Sequence, residues 1–229
     1  MRVFNIDSPL MVFLGRVADL MILNLMVVLL CIPVITMGPA MTAMHYVLLK
    51  MARKEECYIV APFFKSFKEN FVQATIIGVI IILITAVFIM NFMILSDPEI
   101  EFARWMRIAL MACALLGVMT LLYIFPLLAR FRNTIRGTFK NALFMSILHL
   151  PRTVLMMIFY VIPLILIIAN VNLIPVVFLL GIAGPAYGCA MLYSGIFKRF
   201  EPEEEQIDAD AWTVDLTEAP KTENKGEGF

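Results

Sequence analysis

Five long apolar segments, each bounded by charged residues or proline, make up about half of this chain of 229 residues. They lie near residues 17–37, 72–95, 108–129, 153–169 and 173–197. A helix of roughly 20 apolar residues crosses the hydrocarbon core of a bilayer, which is about 30 Å thick. Because lipid offers no hydrogen-bond partner to a bare peptide group, we expect every segment to be helical. The sequence therefore predicts an all-α, polytopic membrane helix bundle with about five transmembrane helices.

The formal net charge of zero conceals two regions of opposite charge. Residues 201–229 carry ten acidic and two basic side chains, which leaves 16 basic and eight acidic side chains for residues 1–200. A polar, strongly charged segment cannot bury enough apolar surface to fold by itself. We therefore expect a membrane domain over residues 1–200 and an acidic, disordered cytoplasmic tail over residues 201–229.

The excess of basic side chains lies in two long loops. Residues 50–68 and 130–152 carry five Lys or Arg each, and these loops alternate with connections that carry few. Because cytoplasmic loops of membrane proteins are rich in Lys and Arg, both loops and the C-terminus are expected in the cytoplasm, with the N-terminus outside. We expect a multi-pass protein of the cell membrane whose first span is retained as an anchor. Since the orientation of the protein in the membrane accounts for the excess of basic residues, we expect no nucleic-acid partner.

Both basic loops carry amphipathic patterns that are typical of helices at the membrane interface. In the first loop, phenylalanines recur every four residues with lysines between them, so the aromatic rings share one helical face. In the second loop, apolar residues between 139 and 150 mark a similar face. Anionic lipid headgroups could hold this second loop at the membrane. The alternative is a contact surface for a protein partner, formed by Phe63, Phe67, Phe71, Arg132 and Arg136.

Polar side chains within or near the apolar segments are candidates for function, because lipid makes them costly. Four such residues are Asp19, Asn24, Asn91 and Arg107. For Asp19 we expect an ion pair with Arg16 or Arg107 in preference to a substrate or proton role. For the two asparagines we expect hydrogen bonds between helices in preference to ligand binding.

Glycine and proline predict interruptions in two of the apolar segments, at Pro33, Gly38, Pro39, Gly184 and Pro185. The tripeptide Gly-Pro-Ala occurs at both 38–40 and 184–186. An internal repeat around broken helices is known in transporters, but chance or a shared need for a helix kink is the better explanation of a single tripeptide match. The spacing of Gly184 and Gly188 suits close helix packing, either within one chain or in a homodimer.

Sequence motifs of common enzymes are absent from this chain. It has no phosphate-binding loop, no zinc-protease motif and no nucleophile elbow. Its four cysteines show no CxxC spacing, and its two histidines fall in the predicted interfacial segments. We therefore expect a protein that is not an enzyme and that has no cofactor and no metal site.

Three separated motifs resemble the YesL-like membrane proteins of bacteria. They are PVITMGPAMTA at 33–43, FFKSFKENF at 63–71, and FPLLARF at 125–131 with KNAL at 140–143 and LPRT at 150–153. The resemblance covers roughly residues 1–200 and implies a family of unknown function that accompanies sugar ABC importers, polysaccharide-degrading enzymes and two-component sensors. It implies an accessory or regulatory role in carbohydrate uptake, with an importer or a sensor kinase as partner.

Two functions therefore stand as hypotheses. The first is a non-enzymatic accessory or regulatory membrane protein for carbohydrate uptake, with the basic loops as its contact surface. The second is a small autonomous membrane transporter that uses the helix breaks and the carboxylate of Asp19. Membrane lipid is a partner under both hypotheses.

Overall fold

The computed structural model describes residues 9–55, 58–96 and 104–198, and these ranges contain helices and no strand. The predicted acidic tail, residues 201–229, lies outside the described residues. The α-helices, in chain order, are α1 Pro9–Leu30, α2 Met37–Ala52, α3 Val60–Glu69, α4 Phe71–Ser96, α5 Arg104–Arg130, α6 Ile135–Leu148, α7 Leu150–Ala169, α8 Ile174–Leu180 and α9 Ala183–Phe197. Short 3₁₀ turns at Val34–Thr36 and Val171–Leu173 precede α2 and α8.

Four of these helices are long and apolar enough to cross a membrane. The spans are Leu10–Leu30, Phe71–Leu95, Arg104–Arg130 and Leu150–Ala169. Val171–Leu180 and Ala183–Phe197 make a fifth when they are counted as one span, bent by 52° at a break between them. The prediction of an all-α, multi-pass membrane protein is confirmed.

The first span begins and ends earlier than the segment 17–37 that hydropathy indicates. Its helix starts at Pro9 and stops at Leu30, three residues before Pro33. The Thr36 hydroxyl donates to the carbonyl oxygens of Leu30 and Pro33, and the first of these is an acceptor that the end of α1 leaves open. Residues 31–36 are therefore a connection outside α1, and the interruption at Pro33 lies within it.

Both Gly-Pro pairs occupy the start of a helix, so the expectation of a break at each pair needs correction. Gly38 and Pro39 follow the first residue of α2, and Gly184 and Pro185 follow the first residue of α9. Proline is tolerated in the first helical turn, where its missing N–H has no helical partner to lose. The break in the last apolar segment precedes Gly184 and Pro185 and consists of residues 181–182, the first of which is Gly181.

α2 forms the centre of the packing. Ten of its sixteen residues are buried, and it packs against α1, α3, α4 and α5. Its N-terminal turn crosses α4 at a glycine pair, Gly38 and Gly78, where a Cβ on Gly38 would overlap the carbonyl oxygen of Ala74. The absence of both side chains lets the two backbones approach more closely than any other residue pair would allow.

Burial is concentrated at one end of the long helices. We define the loop-side half as residues 71–78 of α4, 119–130 of α5 and 150–156 of α7, next to the basic loops. We define the far half as residues 79–95, 104–118 and 157–169 of the same helices. The loop-side half contains a dense set of buried residues, whereas Leu95 is the sole buried residue of the far half.

The chain divides into two compact units. The first, Met1–Ser194, contains the packed centre described above. The second begins at Gly195, and its described residues, 195–198, complete the last turn of α9 and the residue that follows.

Candidate functional site

The most specific polar arrangement within the predicted spans surrounds Asn24 of α1, whose side chain is completely buried. Its amide nitrogen Nδ2 donates to the carbonyl oxygen of Phe178, at 2.8 Å. Its oxygen Oδ1 accepts from the backbone nitrogens of Ile182, at 3.1 Å, and Ala183, at 2.8 Å. One side chain thus binds both sides of the break between α8 and α9.

The break explains why an asparagine is needed at this position. Where a helix stops, its last carbonyl groups and the first N–H groups of the next helix lose their helical partners. Such groups are costly in an apolar environment unless something binds them. A carboxamide carries a donor and an acceptor on one planar group, so it can serve a carbonyl and two N–H groups together. We call this arrangement the Asn24 bridge.

A second buried polar contact joins α2 to α9. His45 Nδ1 and the Tyr193 hydroxyl lie 3.1 Å apart, and both side chains are buried. Burial lowers the pKa of His45 to about 3, because desolvation disfavours the imidazolium form. His45 is therefore neutral at physiological pH, and its hydrogen bond helps to fix the central helix α2.

A third polar cluster fixes α6 against the spans on either side of it in sequence. The hydroxyl groups of Tyr123 in α5 and Thr153 in α7 lie 3.1 Å apart. The Thr153 hydroxyl also lies 3.0 Å from the carbonyl oxygen of Ser146, near the end of α6. All three side chains are buried. The cluster therefore holds the C-terminal end of α6 in one position relative to α5 and α7.

The other predicted polar residues are dispersed and are not brought to the Asn24 bridge. Asn91 is exposed, and its Nδ2 donates to Val87 within its own helix. Asn91 also lines an open groove of about 450 Å³ between α4 and α5. Arg107 is exposed on α5.

Asp19 does not have the ion pair that the sequence led us to expect. Its side chain is half-buried in α1. Within the described ranges, neither Arg16 nor Arg107 lies within salt-bridge distance of it. A spacing of three residues allows Arg16 and Asp19 to pair on one side of a helix. In the structure the two side chains do not pair, and Arg16 is exposed.

The aromatic part of the predicted contact surface points inward and needs correction. Phe63 is completely buried, its ring centroid is 6.3 Å from that of Phe67, and Phe67 lies 5.6 Å from Phe71. Phe67 and Phe71 are half-buried, and Phe71 already belongs to α4. The periodicity identified one face of α3 correctly, but that face packs against α2. The exposed side of α3 carries Phe64, Lys65 and Lys68 instead.

The two arginines of the predicted surface are exposed. Arg132 lies in the segment between α5 and α6, and Arg136 lies in the first turn of α6. The outward sides of α3 and α6 thus carry exposed bases, and their inward sides belong to the packed core. Among the described residues there is no group of three His, Cys, Asp or Glu side chains that could hold a metal ion.

Sequence reasoning missed the two other buried polar contacts. His45 and Tyr193 are 148 positions apart, and Tyr123 and Thr153 are 30 apart. Neither pair follows a local spacing rule, and the residues of each pair lie on different helices. Their only local signal is a polar group in an otherwise apolar helix, which does not identify its partner.

Comparison with known proteins adds one finding. Residues 20–92, from within α1 to within α4, match a protein family described as "Protein of unknown function, DUF624". The matched region includes Asn24, His45 and the glycine pair of α2 and α4. No curated protein and no solved structure matches the chain.

Proposed function

We propose that this chain is a YesL-like, non-enzymatic protein of the bacterial cell membrane that serves carbohydrate uptake as an accessory or regulatory subunit. The observation that carries the proposal is the exposed basic surface on the outward side of α3, supported from behind by a packed core. The link to carbohydrate uptake comes from the three sequence motifs that resemble the YesL-like family.

The connections between spans support a single location for both basic helices. α4 and α5 are consecutive spans, so the start of α4 and the end of α5 belong to the same membrane surface. α3 immediately precedes α4, and α6 immediately follows α5. Both helices therefore lie on one side of the membrane. Their loops hold most of the basic residues of the membrane domain, which favours the cytoplasmic side and an external N-terminus.

The exposed face of α3 is the surface that we assign to a protein partner. Phe64 is 41% exposed, and Lys65 and Lys68 beside it are exposed as well. An exposed aromatic ring supplies contact area at a protein interface, and the two positive charges beside it would steer and orient an acidic partner. Arg132, on the same side of the membrane, would extend this surface. An acidic cytoplasmic face of a sugar ABC importer or of a sensor kinase would complement it.

Affinity recovery of the tagged full-length chain from its own membranes, in mild detergent with quantitative mass spectrometry, tests this proposal. We expect an importer subunit or a sensor kinase to be enriched with the wild type. The variant Phe64→Ser/Lys65→Ser/Lys68→Ser should reduce that recovery several-fold. The matched control, Arg104→Ser/Arg107→Ser, removes exposed bases from the far half and should leave recovery unchanged.

Two results would overturn the proposal. One is a wild-type protein that recovers neither an importer subunit nor a sensor kinase. The other is equal recovery by the α3 variant and the wild type, because the exposed face of α3 would then have no part in the contact.

A small autonomous transporter is the second candidate, and one observation favours it. The last span is broken and bent by 52°, and the Asn24 bridge binds both of its parts. Transporters use such discontinuous helices to form substrate sites. Purified protein in liposomes should then move a sugar, and Asn24→Leu and Asp19→Asn should change the flux. Liposomes that show no flux with any sugar tested would remove this candidate.

A further inference from the structure

The outward side of α6 carries a line of exposed side chains whose character changes along the helix. Arg136 and Lys140 are exposed near its beginning, and Phe144 and Ile147 are exposed near its end, at 54% and 46%. The spacing of four, four and three residues places them on one helical face. We call this line of four residues the α6 stripe.

The opposite side of α6 is already occupied within the molecule. Thr138, Ala142 and Met145 are buried there, and α6 packs extensively against α5. The α6 stripe is therefore the side that remains available to an outside partner.

The position of α6 along the chain places the α6 stripe at the membrane surface. α6 follows one predicted span, Arg104–Arg130, and precedes the next, Leu150–Ala169. The end of α5 and the start of α7 must then lie at the same face of the bilayer. A helix of 14 residues is about 21 Å long, and since the spans at both of its ends reach the same face of the bilayer, we expect α6 to lie close to the lipid headgroups.

Contacts at both ends hold α6 in a fixed orientation. At its start, the Thr134 hydroxyl accepts from the backbone nitrogen of Gly137, at 3.2 Å. At its end, the cluster of Tyr123, Thr153 and Ser146 ties it to α5 and α7. The α6 stripe thus faces outward before any partner binds, so little ordering would be needed on binding.

Charge and polarity together indicate the chemistry of the partner. Residues 130–152 contain five basic side chains and no acidic one, so the partner is expected to be anionic. The Lys140 ammonium lies 5.9 Å from the centre of the Phe144 ring, so basic and apolar groups adjoin each other. A purely polar anion would leave Phe144 and Ile147 in contact with water. An anionic amphiphile contacts both parts of the α6 stripe.

We propose that the α6 stripe binds anionic phospholipid of the surrounding bilayer. Arg136 and Lys140 contact the headgroup phosphate, and Phe144 and Ile147 contact the upper part of the acyl chains. This inference does not depend on the proposed function, and it assigns Arg136 to lipid in place of a protein partner.

Native mass spectrometry of the purified, delipidated full-length chain tests the inference by titration with phosphatidylglycerol and, separately, phosphatidylcholine. A basic side chain near an anionic surface contributes about fivefold in affinity. We expect the wild type to bind the first phosphatidylglycerol at least about tenfold more tightly than phosphatidylcholine at low salt. The variant Arg136→Gln/Lys140→Gln should bring that ratio close to one.

Three further variants distinguish the contributions of headgroup contacts, acyl-chain contacts and overall charge to lipid binding. Arg136→Lys/Lys140→Arg keeps both charges and should keep the preference for phosphatidylglycerol. Phe144→Ser/Ile147→Ser should weaken the binding of both lipids and leave their ratio unchanged. Arg104→Gln/Arg107→Gln removes exposed bases elsewhere and should behave as the wild type does.

Equal affinity of the wild type for the two lipids would overturn the inference, as would an unchanged preference in Arg136→Gln/Lys140→Gln. The second outcome has a special case, in which this variant keeps its lipid preference but loses an importer subunit or a sensor kinase in affinity recovery. The α6 stripe would then be a protein interface. The test of the proposed function uses variants of α3, so the two proposals can fail separately.

Discussion

The loop-side half and the far half of the long helices differ in both hydropathy and packing: the far half is the more apolar in sequence and has far fewer buried residues. In α4, which has the highest hydropathy of the four continuous spans, 6% of the span's most apolar window is buried inside the molecule. In the loop-side half, buried residues of α4, α5 and α7 accompany a central helix that is itself mostly buried. High hydropathy therefore indicates which segments lie in a bilayer, but it does not predict burial against protein.

The contrast has a consequence for stability. Free energy from packing and from buried hydrogen bonds is concentrated in the loop-side half, around α2. In the far half, the exposed apolar side chains are expected to contact lipid, which solvates them as well as another helix would. Substitutions in the two halves should therefore differ in effect even where the residue types are identical.

The largest effect is expected at the crossing of α2 and α4. Gly38→Ala would place a Cβ closer to the Ala74 carbonyl oxygen than van der Waals contact allows, and this backbone atom cannot move aside. We expect a loss of about 3 kcal/mol or more in the free energy of unfolding. The measurement is the thermal unfolding midpoint in detergent, followed by the monodisperse peak in size-exclusion chromatography.

Gly117→Ala is the matched control for this crossing. Gly117 lies in the far half, and a Cβ there would meet no atom within 4 Å. Since alanine has the higher helix propensity, this variant should be neutral or more stable by up to about 1 kcal/mol. Equal behaviour of the two variants would contradict the close approach of α2 and α4.

The next effect is expected at the Asn24 bridge. Asn24→Leu removes the three hydrogen bonds that the side chain makes to Phe178, Ile182 and Ala183. Interhelical hydrogen bonds in membranes contribute about 0.6 kcal/mol each on average, so a loss of about 2 kcal/mol is expected in the same thermal assay. Asn91→Leu should cost less than about 0.5 kcal/mol, because that amide bonds only within α4. A larger loss of stability for Asn91→Leu than for Asn24→Leu would contradict the conclusion that Asn24, and not Asn91, links different helices.

A smaller effect is expected from pH through His45. Its pKa is lowered to about 3 in the folded state, against 6.5 in an unperturbed side chain, so the unfolded state binds more protons between these values. Stability is therefore complete above pH 6.5 and falls as the pH drops towards 3. We expect a loss of about 1 kcal/mol between pH 7.5 and pH 5.5. His45→Gln should reduce the dependence of the free energy of unfolding on pH. If the dependence is unchanged in this variant, a group other than His45 causes it.

The smallest effect is expected for a leucine in the far half. Leu83 in α4 is 61% exposed, so Leu83→Ala should change the free energy of unfolding by less than about 0.5 kcal/mol in detergent. The same substitution at Leu48, which is completely buried in α2, should cost about 2–5 kcal/mol. A large loss at Leu83 would show that the far half packs against protein, for instance in a homodimer.

The helical, multi-pass architecture could be predicted because it depends on composition over about 20 residues. The limits of the first span could not, because hydropathy continues through Ile32, Pro33 and Val34, where the helix has already ended. In α3 the period of the phenylalanines identified one face of the helix. Which side of the molecule that face meets depends on the placement of α2, and that placement is absent from a local pattern.

The polar candidates show the same limit. The sequence marks Asn24 and Asn91 equally, as asparagines within apolar segments. Their roles differ because α1 passes beside the break at residues 181–182, whereas Asn91 is exposed on α4. Distances of more than 150 positions along the chain separate Asn24 from its partners, and no spacing rule reaches that far.

The sequence by itself determined that this protein is a helical membrane protein and that its basic residues gather in two loops. The helical architecture follows from short-range physics, the need to satisfy backbone groups in lipid. The tertiary structure decided that α2 is buried at the centre, that Asn24 spans the broken helix, and that Phe63 faces inward while the α6 stripe faces outward. These properties follow from contacts between segments far apart in the chain, where packing selects one partner among many that are chemically suitable.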